Sequence, residues 1–153
     1  MKMLMTLAKN KFPQYKNKKI MLNLGCGAQR LDGYIGIDIR DIGQEMIWDV
    51  RGGIPFPDNS VSEIYSCHFV EHMTDEESIA LFKDIYRVLK VGGETHHRCP
   101  HQTHPTAYFW GHETFWNEAR INSMTRVPGL GKFLIVDNQN KNGELFFSLK
   151  KLG

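Results

Sequence analysis

The stretch LNLGCGAQRLDGYIGIDI, residues 22–39, constrains the fold more than any other part of this chain. It begins apolar, breaks at Gly-Cys-Gly, becomes apolar again and ends near an acid, Asp38. Short, nearly continuous apolar runs predict strands of a parallel sheet covered on both faces. Parallel strands need a crossover, usually a helix, yet residues 25–33 leave no room for a full one. A short connection over about 28–33, with Asp32-Gly33 as a turn, is therefore expected to replace it. One sheet face is then left less covered, and the N-terminal segment is expected to pack over the gap.

The chain has 153 residues, 41% hydrophobic and 24% charged, which suits one globular domain over 1–153, with 1–17 as an N-terminal helix and linker. No apolar run is long enough to span a bilayer. The apolar residues 3–8 are too few for a signal sequence and no cleavage site follows, so a cytoplasmic protein is expected. Cys26, Cys67 and Cys99 form no C-x-x-C pair and are expected to be reduced. The net charge of +2 does not by itself imply nucleic acid, although six lysines and no acid fall in the first 19 residues.

Strands are expected at 19–24, 34–39, 45–49 and 63–67. Thr74-Asp75-Glu76-Glu77 has the form of a capping box, and Ile79, Phe82, Ile85 and Leu89 continue at helical spacing, with Gly92-Gly93 as the expected stop. A fifth strand follows at 93–99. It is oddly polar: Thr95, His97 and Cys99 would face one side, and Glu94, His96 and Arg98 the other. Either Glu94 and Arg98 pair, or the region is unusually exposed or at a dimer contact. A helix over about 114–124 and an antiparallel hairpin, 132–136 with 145–149, complete the chain. The fold class is α/β: a doubly wound, mostly parallel sheet with an antiparallel last strand.

A strand ending in Gly-x-Gly lets a ligand approach the backbone. A triphosphate site fails for want of G-x-x-x-x-G-K-[ST]. A dinucleotide site is weak, because the third glycine is missing and Asp38 comes too early. A nucleoside without phosphates fits better. Asp38, at the end of the second strand, would accept the ribose hydroxyls. Asp49, at the end of the third, would accept the adenine amino group, with Val50 packed on the base.

These residues resemble the class I S-adenosylmethionine-dependent methyltransferases, specifically the small type 11 family, over about residues 18–112. The matching pieces are LNLGCG, YIGIDI, WDVRGGIPFPDNSVSEIYSCHFVEHM and RVLKVGG. The resemblance implies a seven-stranded Rossmann-like sheet with S-adenosylmethionine as cofactor. Gly25, Cys26 and Gly27 would form the cofactor loop, Asp38 and Ile39 would meet the ribose, Asp49 and Val50 the adenine, and His68 would lie nearby.

Transfer to a hydroxyl needs a base, and histidine suits that task near neutral pH. His72 and His101, at strand C-terminal ends, are the candidates. His68 and His72 are spaced i, i+4, but the capping box puts them before the helix, so no metal is expected. Tyr108, Phe109, Trp110, Phe115 and Trp116 would cap an acceptor pocket or simply pack the loop. The expected function is O-methylation of a small-molecule or glycan-type acceptor. RNA or protein methylation using the basic N-terminus, or a non-catalytic cofactor-binding module, are the alternatives, and a homodimer is left open. No membrane partner is expected.

Overall fold

The computed structural model describes Tyr15 and residues 17–153. The expected N-terminal helix, and the packing of that segment over the sheet, lie outside the described residues. Seven strands form one sheet: β1 (Ile20–Leu24), β2 (Ile35–Asp38), β3 (Met46–Ile47), β4 (Val61–Cys67), β5 (Leu89–Pro100), β6 (Phe133–Lys141) and β7 (Glu144–Lys151). Their spatial order is β3-β2-β1-β4-β5-β7-β6. Neighbours among the first five strands run parallel, whereas β7 is antiparallel to both β5 and β6. The order reverses at β1, so the C-terminal ends of β1, β2 and β4 open onto a topological switch point, where such sheets bind ligands.

Two α-helices are present among the described residues, α1 (Asp75–Val88) and α2 (Glu118–Met124). The capping box forms as the sequence predicts: the Glu77 amide donates to Thr74 Oγ1 at 3.2 Å, and the Thr74 amide donates to Glu77 Oε2 at 2.9 Å. The stop differs. Helix α1 ends at Val88, and Leu89 is already extended. Glycine is not needed there because neighbouring chain takes the terminal carbonyls. The Lys151 ammonium donates to the Tyr86 and Leu89 carbonyls at 2.7 and 2.9 Å, and the Asn59 and Ser60 amides take those of Arg87 and Val88. Gly92 and Gly93 lie inside β5, where its register against β4 shifts between Val61 and Glu63. A Cβ on Gly93 would lie 2.9 Å from the Lys90 carbonyl oxygen. The last helix is also shorter than expected, starting at Glu118 behind an Asn117 cap.

Both helices pack on the same face of the sheet. Phe82 of α1 meets His97 of β5 and Phe147 of β7, and Trp116, just before α2, stacks on Phe147 at 5.6 Å. Leu22, Leu24, Ile64, Cys99, Leu145 and Leu149 fill the layer between, all fully buried. On the opposite face the described residues offer no α-helix. Loops carry what cover there is over β2, with Cys26 Sγ and Glu45 packed against Gly36.

That one-sidedness explains the polar fifth strand. Thr95, His97 and Cys99 face the helices and are buried; Glu94, His96 and Arg98 are half-buried on the other side. Of the alternatives, a Glu94–Arg98 pair does not form. Each finds a cross-strand partner instead: Glu94 pairs with Lys150 at 3.6 Å, His96 bonds Ser148 at 2.8 Å, and Arg98 pairs with Glu144 at 3.1 Å. Cross-strand neighbours lie closer than residues four apart on one strand.

His97 is the inward exception, a histidine only 2% exposed. Its Nδ1 bonds Ser66 Oγ and its Nε2 bonds Thr95 Oγ1, both at 2.6 Å. With both nitrogens satisfied the neutral ring packs as an aromatic on Phe147. Burial pushes its pKa down to about 3 from 6.5. Below pH 6.5 the unfolded chain therefore takes up a proton that the folded chain refuses. The stability that follows is complete above pH 6.5 and is lost toward pH 3, by up to about 1.4 kcal/mol per pH unit. Urea unfolding at pH 7 and pH 5 should show His97→Gln, which keeps donor and acceptor, losing less on acidification than the wild type.

Candidate functional site

A cleft of about 350 Å³ opens at the switch point, within the ~300–1,000 Å³ usual for small-molecule sites. Gly25 from the end of β1, Asp38 and Ile39 from β2, Asp49 and Val50 after β3, and His68 and His72 after β4 all line it. The sequence-predicted residues thus converge from segments far apart in the chain. Cys26 and Gly27 do not line the cleft. The Cys26 amide donates to the Ile37 carbonyl at 3.1 Å and its thiol is buried, so it anchors the loop to β2 from beneath. Gly27 acts on the acid: its amide donates to Asp38 Oδ2 at 3.0 Å.

Asp38 is only 7% exposed. Its other oxygen accepts from the Arg40 amide at 3.0 Å and from Arg40 Nε at 3.2 Å. Burial alone would raise its pKa, but the Arg40 guanidinium and the two amides outweigh it and hold the carboxyl below its ordinary value. Asp49 repeats the arrangement closer to solvent. Arg51 Nη2 donates to its Oδ2 at 2.8 Å, and this hydrogen bond lowers its pKa. Both acids are therefore ionised acceptors near neutral pH. The two arginines lie half-exposed or more at the cleft wall. They are the main residues that sequence reasoning missed. The signal was present as IDIR and WDVR, an arginine two residues beyond each acid.

Phe69 was also missed. His68 adopts a left-handed backbone, φ 50°, which swings Phe69 over Gly25. A Cβ on Gly25 would lie 2.1 Å from the Phe69 ring, and Gly25 itself has φ +60°. Trp48 forms part of the same wall, its indole N–H held by the Gly53 carbonyl at 2.8 Å.

Beyond His68 the cleft meets a second group of side chains. Glu71 is 1% exposed and neither of its oxygens accepts a hydrogen bond. His68 Nδ1 approaches it at 3.4 Å, and His68 Nε2 lies 3.4 Å from Glu144. Burial, reinforced by the Glu144 charge, pushes the Glu71 carboxyl up to about 7. His72 Nδ1 donates to the Gly111 carbonyl at 2.9 Å, so in the neutral ring the proton sits on that nitrogen and Nε2 is the acceptor. The His112 ring stands edge-on to His72, centroids 4.7 Å apart.

His101 stands apart from the cleft. It is 6% exposed, with Nδ1 bonded to Thr103 at 2.7 Å and Nε2 to Glu118 at 2.9 Å. Both nitrogens are spent tying the loop after β5 to the start of α2. Trp116 likewise packs in the core, whereas Tyr108, Phe109 and Trp110 project into solvent.

Gly25→Ala should lose about 1–3 kcal/mol of stability in urea unfolding, from left-handed strain and the Phe69 clash together. Adding Phe69→Ala should restore the part due to the clash and leave the rest.

The type 11 family described as a methyltransferase domain matches residues 22–96. No curated protein matches in sequence. Among solved structures, an S-adenosylmethionine-dependent methyltransferase from Archaeoglobus fulgidus superposes with a TM-score of 0.65 at 15% identity, over 98% of this chain and 94% of that one. A 1,6-didemethyltoxoflavin-N1-methyltransferase from Burkholderia thailandensis, solved with its substrate and S-adenosylhomocysteine, gives 0.65 at 13%, over 98% and 79%. The [4+2]-cyclase SpnF gives 0.68 at 15%, over 97% and 81%, so the fold alone does not fix the chemistry. The methyltransferase family match over residues 22–96 and the strand order are features this chain shares with the class I S-adenosylmethionine-dependent methyltransferases.

Proposed function

We propose that the chain transfers a methyl group from S-adenosylmethionine to a hydroxyl of a small-molecule or glycan-type acceptor. The observation that carries this is the convergence of Gly25, Asp38, Asp49 and His72 on one cleft. The cleft suits a phosphate-free nucleoside. It offers carboxylates as acceptors for sugar hydroxyls and for an amino group, and Gly25 keeps the loop backbone free of a side chain. Asp38 would hold the ribose and Asp49 with Val50 the adenine, with Arg40 and Arg51 turning outward to release carboxylate oxygens.

The bound cofactor supplies a methyl group on a positively charged sulfur, already activated for transfer. The protein's task is then to hold the acceptor in line and take its proton. His72 is placed for that. Its Nδ1–H is fixed by the Gly111 carbonyl, leaving Nε2 as the proton acceptor at the cleft wall. We assign no catalytic role to His101, whose nitrogens are both engaged away from the cleft. Exposed Tyr108, Phe109 and Trp110 lie on the same loop as Gly111 and offer flat apolar surface to a sugar or aromatic acceptor.

Calorimetry with S-adenosylhomocysteine tests the reading. The wild type should bind it, and Asp38→Ala should lose about 10- to 100-fold in affinity. His72→Asn should leave that affinity unchanged while lowering kcat for a hydroxyl acceptor by about 10²- to 10⁴-fold. A folded wild-type chain giving no heat with either the donor or its demethylated product refutes the proposal.

A further inference from the structure

We propose that Glu71, His72 and His112 form a binding site for a divalent first-row transition ion. Each residue presents one ligand atom, and these atoms lie within 4.8 Å of one another. Two imidazoles and a carboxylate suit zinc, iron, cobalt or nickel rather than magnesium or calcium, which prefer all-oxygen shells. Three protein ligands leave a coordination position open, the pattern of sites that act on a bound water or substrate rather than brace a fold.

Two observations beyond the spacing point to a ligand here. The first is Glu71, a carboxylate 1% exposed with both oxygens lacking any hydrogen bond. His68 Nδ1 approaches it at 3.4 Å without a hydrogen bond, and a buried carboxylate so placed is costly unless a cation or a proton answers it. The second is His112, whose Nδ1 is buried and also without a hydrogen-bond partner. The supporting bonds fit as well. His72 donates Nδ1–H to the Gly111 carbonyl, the backbone support common for a histidine that ligates through its other nitrogen. The Glu113 and Thr114 amides donate to the Glu71 carbonyl at 2.8 and 3.2 Å, which ties the loop bearing His112 to the turn bearing Glu71 and His72.

Ligands about 2.0–2.2 Å from a tetrahedral ion sit roughly 3.3–3.6 Å apart. Binding therefore draws the three groups together by about an ångström, a shift the exposed His72 ring can make while keeping its bond to the Gly111 carbonyl. Because His72 also lines the cleft, an ion here would take the acceptor oxygen on its open position and lower that oxygen's pKa, replacing His72 as the means of removing the proton. This consequence rests on the methyl-transfer reading; the ion site itself does not.

Titrating the chelator-treated full chain with Co²⁺, with no donor present, tests the site. One equivalent should bind with a visible ligand-field absorption band. Glu71→Gln and His112→Asn should each weaken binding by at least about tenfold, and His96→Gln, on the far sheet face, should not. X-ray absorption of the wild-type cobalt form should show nitrogen and oxygen neighbours. That measurement decides the matter even where a variant fails to fold. No binding by the folded wild type, sulfur ligation by a cysteine, or equal affinity in Glu71→Gln and His112→Asn overturns the proposal. Calorimetry with S-adenosylhomocysteine is read separately, so loss of the ion site and loss of the methyl-transfer reading are distinct results.

Discussion

The carboxylate of Asp38 is the joint on which the site turns. One of its oxygens holds the Gly27 amide and so fixes the loop leaving β1; the other holds Arg40 and so fixes the chain leaving β2. A buried acid bonded to two amides and a guanidinium keeps its charge despite poor solvation. The loop could not be shaped by a neutral group of the same size with equal strength, and the short connection between β1 and β2 is tolerable because this bond replaces the support a crossover helix would give.

Much of this was written in local patterns. Thr74 and Glu77 specify their cap by spacing alone, and Asp38 ends a strand that an apolar run marks clearly, while Asp49 follows the short β3. What escaped was long-range. No local signal says that α1 ends at Val88, because the groups that satisfy it come from Asn59, Ser60 and Lys151. Nor does sequence distinguish His72 from His101. Both follow strands, and only the fold shows that one faces the cleft while Thr103 and Glu118 occupy the other. The arginines beyond each acid were visible as a repeated tripeptide pattern, but pattern alone did not say they would fold back onto the carboxylates.

The sheet explains the odd composition of β5. A central strand is usually apolar throughout because both faces are covered. Here the helices cover one face among the described residues, and the other carries a charge-and-hydroxyl ladder across β4, β5 and β7. Strand position sets backbone bonding, whereas cover sets side-chain polarity, and in this chain the two are separated.

The tie between Lys151 and the end of α1 has a kinetic side. Its ammonium reaches the Tyr86 carbonyl across 65 positions of chain. Contacts so remote in sequence form late, after the entropy of closing a long loop has been met. The helix can therefore start early at its self-contained cap, while its far end stays frayed until the final strand docks, giving one helix a local beginning and a global end.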